Sequence, residues 1–485
     1  MKASKRSWWF CSLFFTAFAL LLLFGAACKK STPKKSTSAE SPVTPLSPEA
    51  AQQQRQQVLD WNLITTVKAY EQAGHTSPKW DEAAKRALTE YARFKSKAPG
   101  ADTEMVSINV EAAIQAGCDD PLVNYVFIKF GMSQTNSKEA FTAAFYKTAL
   151  AMEASSYPPI RKFYAGFRAV QQYGWANNYP TNWPEEMKAL YHRMIDQLSA
   201  TIADANTPAP EIYDACHEFL NNEGRNTEYY PKYWESMEPL VFNHWGDDST
   251  IWLLKGEANV RLAWLARGDG LANTVTEEGW KKFKEHLDVA ETALERAWEI
   301  NPHDTRIPTE MMNVMLGQGG GRERMEAWFE RAMEVDTNCY DICYNKLYYL
   351  EPKWYGSDAE QIAFGRECVR STKWGGRVPF TLLDAHIYIN NRNPKSEQDN
   401  YWKDPDVWAD VQSSFERFFE LNPDATNSYP NYAWYAYHAE QWVKLNELLP
   451  KLGTVNPDLF GGKVEYEKMV SQAKEHTSPT GRQSK

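Results

Sequence analysis

The chain has no excess of positive charge. Its 63 Asp and Glu outnumber 53 Lys and Arg, for a net charge of −10. Nucleic-acid binding needs clustered cations to displace phosphate counterions, so no nucleic-acid partner is expected. Cysteine is scarce: seven in 485 residues form an odd, dispersed set that makes no disulfide framework. None of the nine histidines stands three or four residues from another. No helix face therefore offers two imidazoles to a metal, and neither a metal nor a cofactor is expected. Cys339 and Cys343 share a helix face, but without a second pair nearby they read as packing rather than zinc ligation. Alternating Val/Ile/Thr runs are also rare, which argues against strands. There is no Gly-x-Ser-x-Gly elbow. The glycines at 317 and 319–321 precede Arg322-Glu323-Arg324 instead of the Lys-Ser/Thr of a phosphate loop. Cys216 and His217 are adjacent, so on one helix they point apart. No catalytic residue is assigned, and the chain does not read as an enzyme.

What is present is helical period. Ala290, Leu294 and Ala297 fall on one helix face, and Pro302 stops that helix. The spacing returns as Met325, Phe329, Ala332, Thr337; as Val411, Phe415, Phe418, Pro423; and as Leu445, Leu449, Leu452, Pro457. Pro302 to Thr337 is 35 residues and Pro423 to Pro457 is 34. This resembles the second helix of a tetratricopeptide-type (TPR) repeat, in which small residues let antiparallel helices approach and a proline turns the chain. The expected fold is all-α, a TPR-like α-solenoid of antiparallel helix pairs.

Residues 1–27 have a basic start, an apolar run from Trp8 to Phe24, and then Gly25-Ala26-Ala27-Cys28. The ending resembles a bacterial lipobox with Gly25 in place of the usual leucine, which implies lipidation of Cys28. Ordinary cleavage after Ala27 and an uncleaved anchor also fit. The lipoprotein is preferred because residues 28–50, rich in Lys, Ser, Thr and Pro, read as a disordered tether holding a folded body off a membrane. The resulting location is a bacterial cell envelope, on its periplasmic or surface side.

Residues 51–245 read as helical pairs with weak register, 246–472 as the TPR-like region, and 473–485 as a disordered tail. Val58, Trp61, Leu63 and Val67 are expected to form one buried face. Gly117 fits a helix stop, Asp120 an N-cap and Pro121 a first turn. Capping boxes are expected at Asn136-x2-Glu139, Asn182-x2-Glu185 and Ser357-x2-Glu360. Gly256 is available for close packing against the helix ending at Pro302. Residues 268–279 and 390–404 read as loops.

The segments Trp264–Gly268, Leu316–Gly319, Arg322–Met325, Leu350–Ser357, Tyr157–Tyr164 and Gly117–Pro121 resemble an uncharacterised bacterial domain-of-unknown-function family, domain of unknown function 4034. The resemblance implies a TPR-like helical fold and supplies no activity or site. The functional expectation is a membrane-tethered scaffold for a protein or peptide partner. The second reading is a carbohydrate- or small-ligand-binding lipoprotein. Lys353, Trp354 and Tyr355 are the candidate contact residues, because two large rings and a cation exceed what a helix-to-helix turn requires.

Overall fold

The computed structural model describes residues 47–133, 136–223, 228–453 and 455–477; the leader, Cys28 and nearly all of the tether lie outside them. The described residues form helices joined by short turns, without a strand, and divide into two compact units, one within Val43–Gly320 and one from Gly321 onward. No described helix is long and apolar enough to cross a membrane.

In the first unit α1 is Pro48–Leu63, followed without a break by a π turn, Ile64–Lys68, and α2, Ala69–Ala73. Then come α3 (Asp81–Lys95), α4 (Thr103–Gln115), α5 (Pro121–Phe130), α6 (Lys138–Ala154), α7 (Pro159–Ala176) and α8 (Glu185–Ala203). The unit ends with α9 (Ala209–Glu223), α10 (Tyr229–Trp245), α11 (Ser249–Arg267), α12 (Glu277–Ile300) and α13 (Arg306–Gln318). From α3 to α13 each helix packs on its chain neighbours. In addition α3 touches α5, α7 touches α9, α9 touches α11 and α11 touches α13, so these odd-numbered helices lie side by side, while α5 and α7 both pack on α6.

Local chemistry sets these boundaries. Gly117 takes φ +95°, and Asp120 accepts from the amides of Leu122 and Val123 at 2.9 and 3.0 Å, opening α5 with Pro121 in its first turn. The closest pair is α11 with α12. A Cβ on Gly256 would stand 2.5 Å from Leu294 Cδ2, so any larger residue would have to displace the buried Leu294. Ala290, Leu294 and Ala297 are fully buried, as their spacing predicts.

The second unit runs α14 (Arg322–Val335), α15 (Tyr340–Tyr349), α16 (Asp358–Arg370), α17 (Phe380–Arg392), α18 (Lys395–Tyr401), α19 (Pro405–Leu421), α20 (Tyr429–His438), α21 (Trp442–Leu448) and α22 (Lys463–Thr477). Its core joins Val411 and Phe415 of α19 to Tyr432, Leu445, Met469 and Ala473, with the Phe415 and Tyr432 rings stacked at 4.5 Å. Ser357 caps α16 by accepting from the Glu360 amide at 3.3 Å.

Several expectations are corrected. Residues 48–50 belong to α1, because Ser47 accepts from the Ala50 amide at 3.2 Å and starts the helix. Residues 473–477 belong to α22: Ala473 is buried, and Asn446 Nδ2 donates to its carbonyl at 2.6 Å and to Thr477 Oγ1 at 2.8 Å. The expected 390–404 loop contains α18, a polar seven-residue helix followed by the buried Trp402. The caps differ too: Ser137, not Asn136, opens α6, and Pro184 precedes α8 without a side-chain cap. In α21 Leu448 is buried in place of Leu449, because Pro450 turns the end into a 3-10 helix. Residues 277–279 begin α12, which shortens the loop before it. At α1 the buried positions are Val58, Asn62, Thr65, Thr66, Ala69 and Tyr70, while Trp61, Leu63 and Val67 are only partly buried. The π turn rotates the face, and a polar set, Asn62, Thr65 and Thr66, is buried.

Candidate functional site

The odd-numbered helices of the first unit place a row of ionisable side chains on one face. Its local unit is a buried tyrosine followed four residues later by a cation or histidine: Tyr91 and Lys95 on α3, Tyr125 and Lys129 on α5, Tyr164 and Arg168 on α7, Tyr213 and His217 on α9. Residues four apart share a helix face, so each tyrosine and its base turn the same way; His217 stacks on its own Tyr213 at 5.1 Å, whereas Lys95, Lys129 and Arg168 lie over other rings, Lys95 over Tyr164 and Arg168 over Phe167.

Lys95 Nζ donates to Tyr164 Oη at 3.1 Å and lies 4.2 Å from that ring's centroid. Lys129 Nζ stands 5.5, 5.9 and 6.0 Å from the centroids of Phe130, Phe94 and Tyr91, with no carboxylate in ion-pair range among the described residues. Burial, with the charges of Arg168 and Lys95, pushes its amine down to about 7. Arg168 pairs with Glu218 of α9 at 2.7 Å. At the Glu218 carboxyl burial works upward, but Arg168, Lys95 and Lys129 prevail and hold it below the ordinary value.

Arg161, 2% exposed, donates from Nη2 to Asn62 Oδ1 at 2.7 Å and to Thr65 Oγ1 at 2.6 Å, and from Nε to the Thr65 carbonyl at 3.3 Å. Asn62 in turn donates to Glu211 Oε1 at 2.6 Å. This network accounts for the burial of Asn62 and Thr65, the π turn presenting the Thr65 carbonyl to Arg161, while Thr66 Oγ1 donates to the Asn62 carbonyl at 2.6 Å. Burial raises the Glu211 carboxyl despite Lys95 and Arg161.

Further along, Glu257 of α11 accepts from Tyr213 Oη at 2.7 Å and lies 2.7 Å from His217 Nδ1. Asn221 Nδ2 is 2.7 Å from His217 Nε2, which fits a neutral imidazole with its proton on Nδ1. Burial opposes His217 protonation, but the Glu257 charge and hydrogen bond raise it. Arg306 of α13 lies 4.6 Å over the Tyr213 ring and forks onto Asp304. Glu310 accepts from Asn313 at 3.1 Å and has no cation in ion-pair range among the described residues; burial and Glu257 push it up to about 8.

The connector residues divide. Lys353 lies 3.1 Å from Glu351 Oε1 and 4.5 Å from the Tyr348 ring centroid, and the Trp354 ring is 6.1 Å from that of Tyr348. Tyr355, 43% exposed, packs at 4.7 Å on Tyr349, so the structure brings together Lys353 and Trp354 but not Tyr355. Beyond Tyr348 runs a half-buried aromatic row, Tyr340, Tyr344 and Tyr348 of α15 with Tyr388 of α17. Tyr340 donates to Asp384, whose carboxyl burial raises to about 6. Cys339 and Cys343 are both buried, and Cys28 is outside the described residues. No cluster of three metal-ligating side chains occurs among the described residues. An open concavity of about 1060 Å³ lies between α4, α5 and α6. Its α5 residues Asn124, Phe127 and Gly131 are on the side of the helix away from Lys129.

The charged row was missed in the sequence, although the Tyr-x3-base spacing was there to find. The chain matches no protein-family model and no curated protein sequence.

Proposed function

We propose that the chain is a TPR-like α-solenoid, held at a bacterial cell envelope by a lipid on Cys28, that binds an extended protein or peptide segment along the odd-helix face of its first unit. It is a binding scaffold and not an enzyme. The observation that carries this reading is the continuity of the row. Polar, charged and aromatic groups come from α3, α5, α7, α9, α11 and α13 in turn, as recognition spread along a strand-like ligand requires, and do not converge on one cavity. The domain-of-unknown-function resemblance agrees with the helical-pair architecture and adds no site.

The test is photo-crosslinking in intact cells with a benzophenone amino acid at Gln171 of α7, Asn221 of α9 and, as control, Lys284 of α12. The first two sites should join the same segment of one partner, and the control should not. Crosslinking from Lys284 equal to that from the row would overturn the proposal.

A second reading, carbohydrate binding by the second unit, is favoured by the aromatic row that Lys353 and Trp354 extend. Retention on a glycan array that Trp354→Ala abolishes without lowering the melting temperature would support it. A fall in melting temperature with unchanged retention would leave Trp354 as packing.

A further inference from the structure

The row contains two ionisable side chains of opposite kind that the fold leaves without a counterion. Lys129 stands over α5 among three rings, and its charged neighbours are predominantly cations: Arg168, Lys95 and Arg161, against the single carboxylate Glu218, which is already paired with Arg168. Glu310 of α13 faces another carboxylate, Glu257, and receives only an amide hydrogen bond from Asn313; His217, the nearby base, is engaged with Glu257. Elsewhere on the face Arg168 pairs with Glu218 and Arg306 with Asp304, Arg161 reaches Glu211 only through Asn62, and Lys95 is held by the Tyr164 hydroxyl. Half-buried charges without partners are costly, so an occupant supplying both counterions gains at each end.

We infer that the segment bound in this groove carries an acidic side chain that pairs with Lys129 and a basic side chain that pairs with Glu310. This rests on the peptide-binding reading and specifies its ligand. Four helix-to-helix steps separate α5 from α13. At roughly 8–10 Å per step they span about 32–40 Å, which an extended chain rising ~3.3 Å per residue covers in about 10–12 residues. The spacing between the two charges is therefore set by the scaffold and serves as a ruler. Complementary charges at fixed separation give register and exclude segments with the opposite polarity.

The experiment is selection of a random 16-residue displayed peptide library on the purified chain. The same selection is run on Lys129→Gln, Glu310→Gln and the double exchange Lys129→Glu/Glu310→Lys, each first shown to melt cooperatively. The wild type should enrich peptides with Asp or Glu and Lys or Arg about 10–12 positions apart in one order, and the double exchange should enrich the opposite order. Each neutral variant should weaken a selected peptide roughly ten- to hundredfold and remove the preference for only its own charge. Should the double exchange not fold, the two neutral variants carry the test alone. Enriched peptides that crosslink at Gln171 and Asn221 yet show no charge spacing would overturn this inference and leave the groove reading standing. Failure to enrich any peptide that crosslinks at the row would overturn both.

Discussion

Lys129 and Glu310 also make the fold's stability depend on pH, in opposite senses. The Lys129 amine titrates near 7 in the folded chain against 10.5 in the open. Between those values the unfolded chain holds a proton that the folded chain has released, so stability rises with pH across the window. The Glu310 carboxyl titrates near 8 against 4.5. Here the folded chain keeps a proton that the unfolded chain has lost, and stability falls from 4.5 to 8. Glu310→Gln is expected to gain about 1–3 kcal/mol at pH 8, discounted for partial exposure, and little at pH 4.5. Lys129→Met should gain most at or below pH 7 and lose that gain toward pH 10.5. Urea unfolding of the first unit across this range checks both. Curves parallel to the wild type would mean that neither group is held from its charged state.

At the scale of elements, burial follows the small-large-small spacing closely enough for one helix to test it. Ala297 is fully buried on α12 and Glu295, two residues away, is exposed. Ala297→Trp must overpack the seam with α11 and should cost about 1–3 kcal/mol or more, whereas Glu295→Trp should be nearly neutral. Equal melting temperatures would place the seam elsewhere. The same spacing made α12, α14 and α19 legible from residues alone, because a helix that buries one face must repeat its apolar residues with the helical period. Legibility failed where a different force decided. The π turn at Ile64–Lys68 holds Thr65 against Arg161, 96 residues further on, and no local pattern encodes that partnership. Polar α18 has no apolar period to read. The charged row escaped for a related reason: a base at one position of an acidic, helix-rich chain looks like a solvated surface until its helices are set side by side. Only the recurrence of tyrosine four residues earlier marks Lys95, Lys129, Arg168 and His217 as members of one face.

At the scale of the whole molecule, the proposed scaffold needs a place to act, and the proposed lipid on Cys28 would supply one. A groove that recognises an extended segment gains little from a long arm in free solution. In the proposed lipoprotein, a proline-rich arm from Cys28 to Ser47 would let a folded body search a layer reaching about 60 Å, at ~3 Å per residue. A lipid on Cys28 would concentrate the groove in that layer, converting encounter with a partner there into a search within a shell. The expected outcome is that the mature protein partitions into detergent and yields an N-terminal peptide beginning at a diacylated Cys28. Cys28→Ala should either release the chain to the aqueous phase or leave residues 1–27 attached. A wild-type protein recovered in the aqueous phase with a free thiol at an N-terminal Cys28 would remove the anchor from the proposal. It would leave the charged row, whose binding is tested independently on purified protein, to stand or fall by itself.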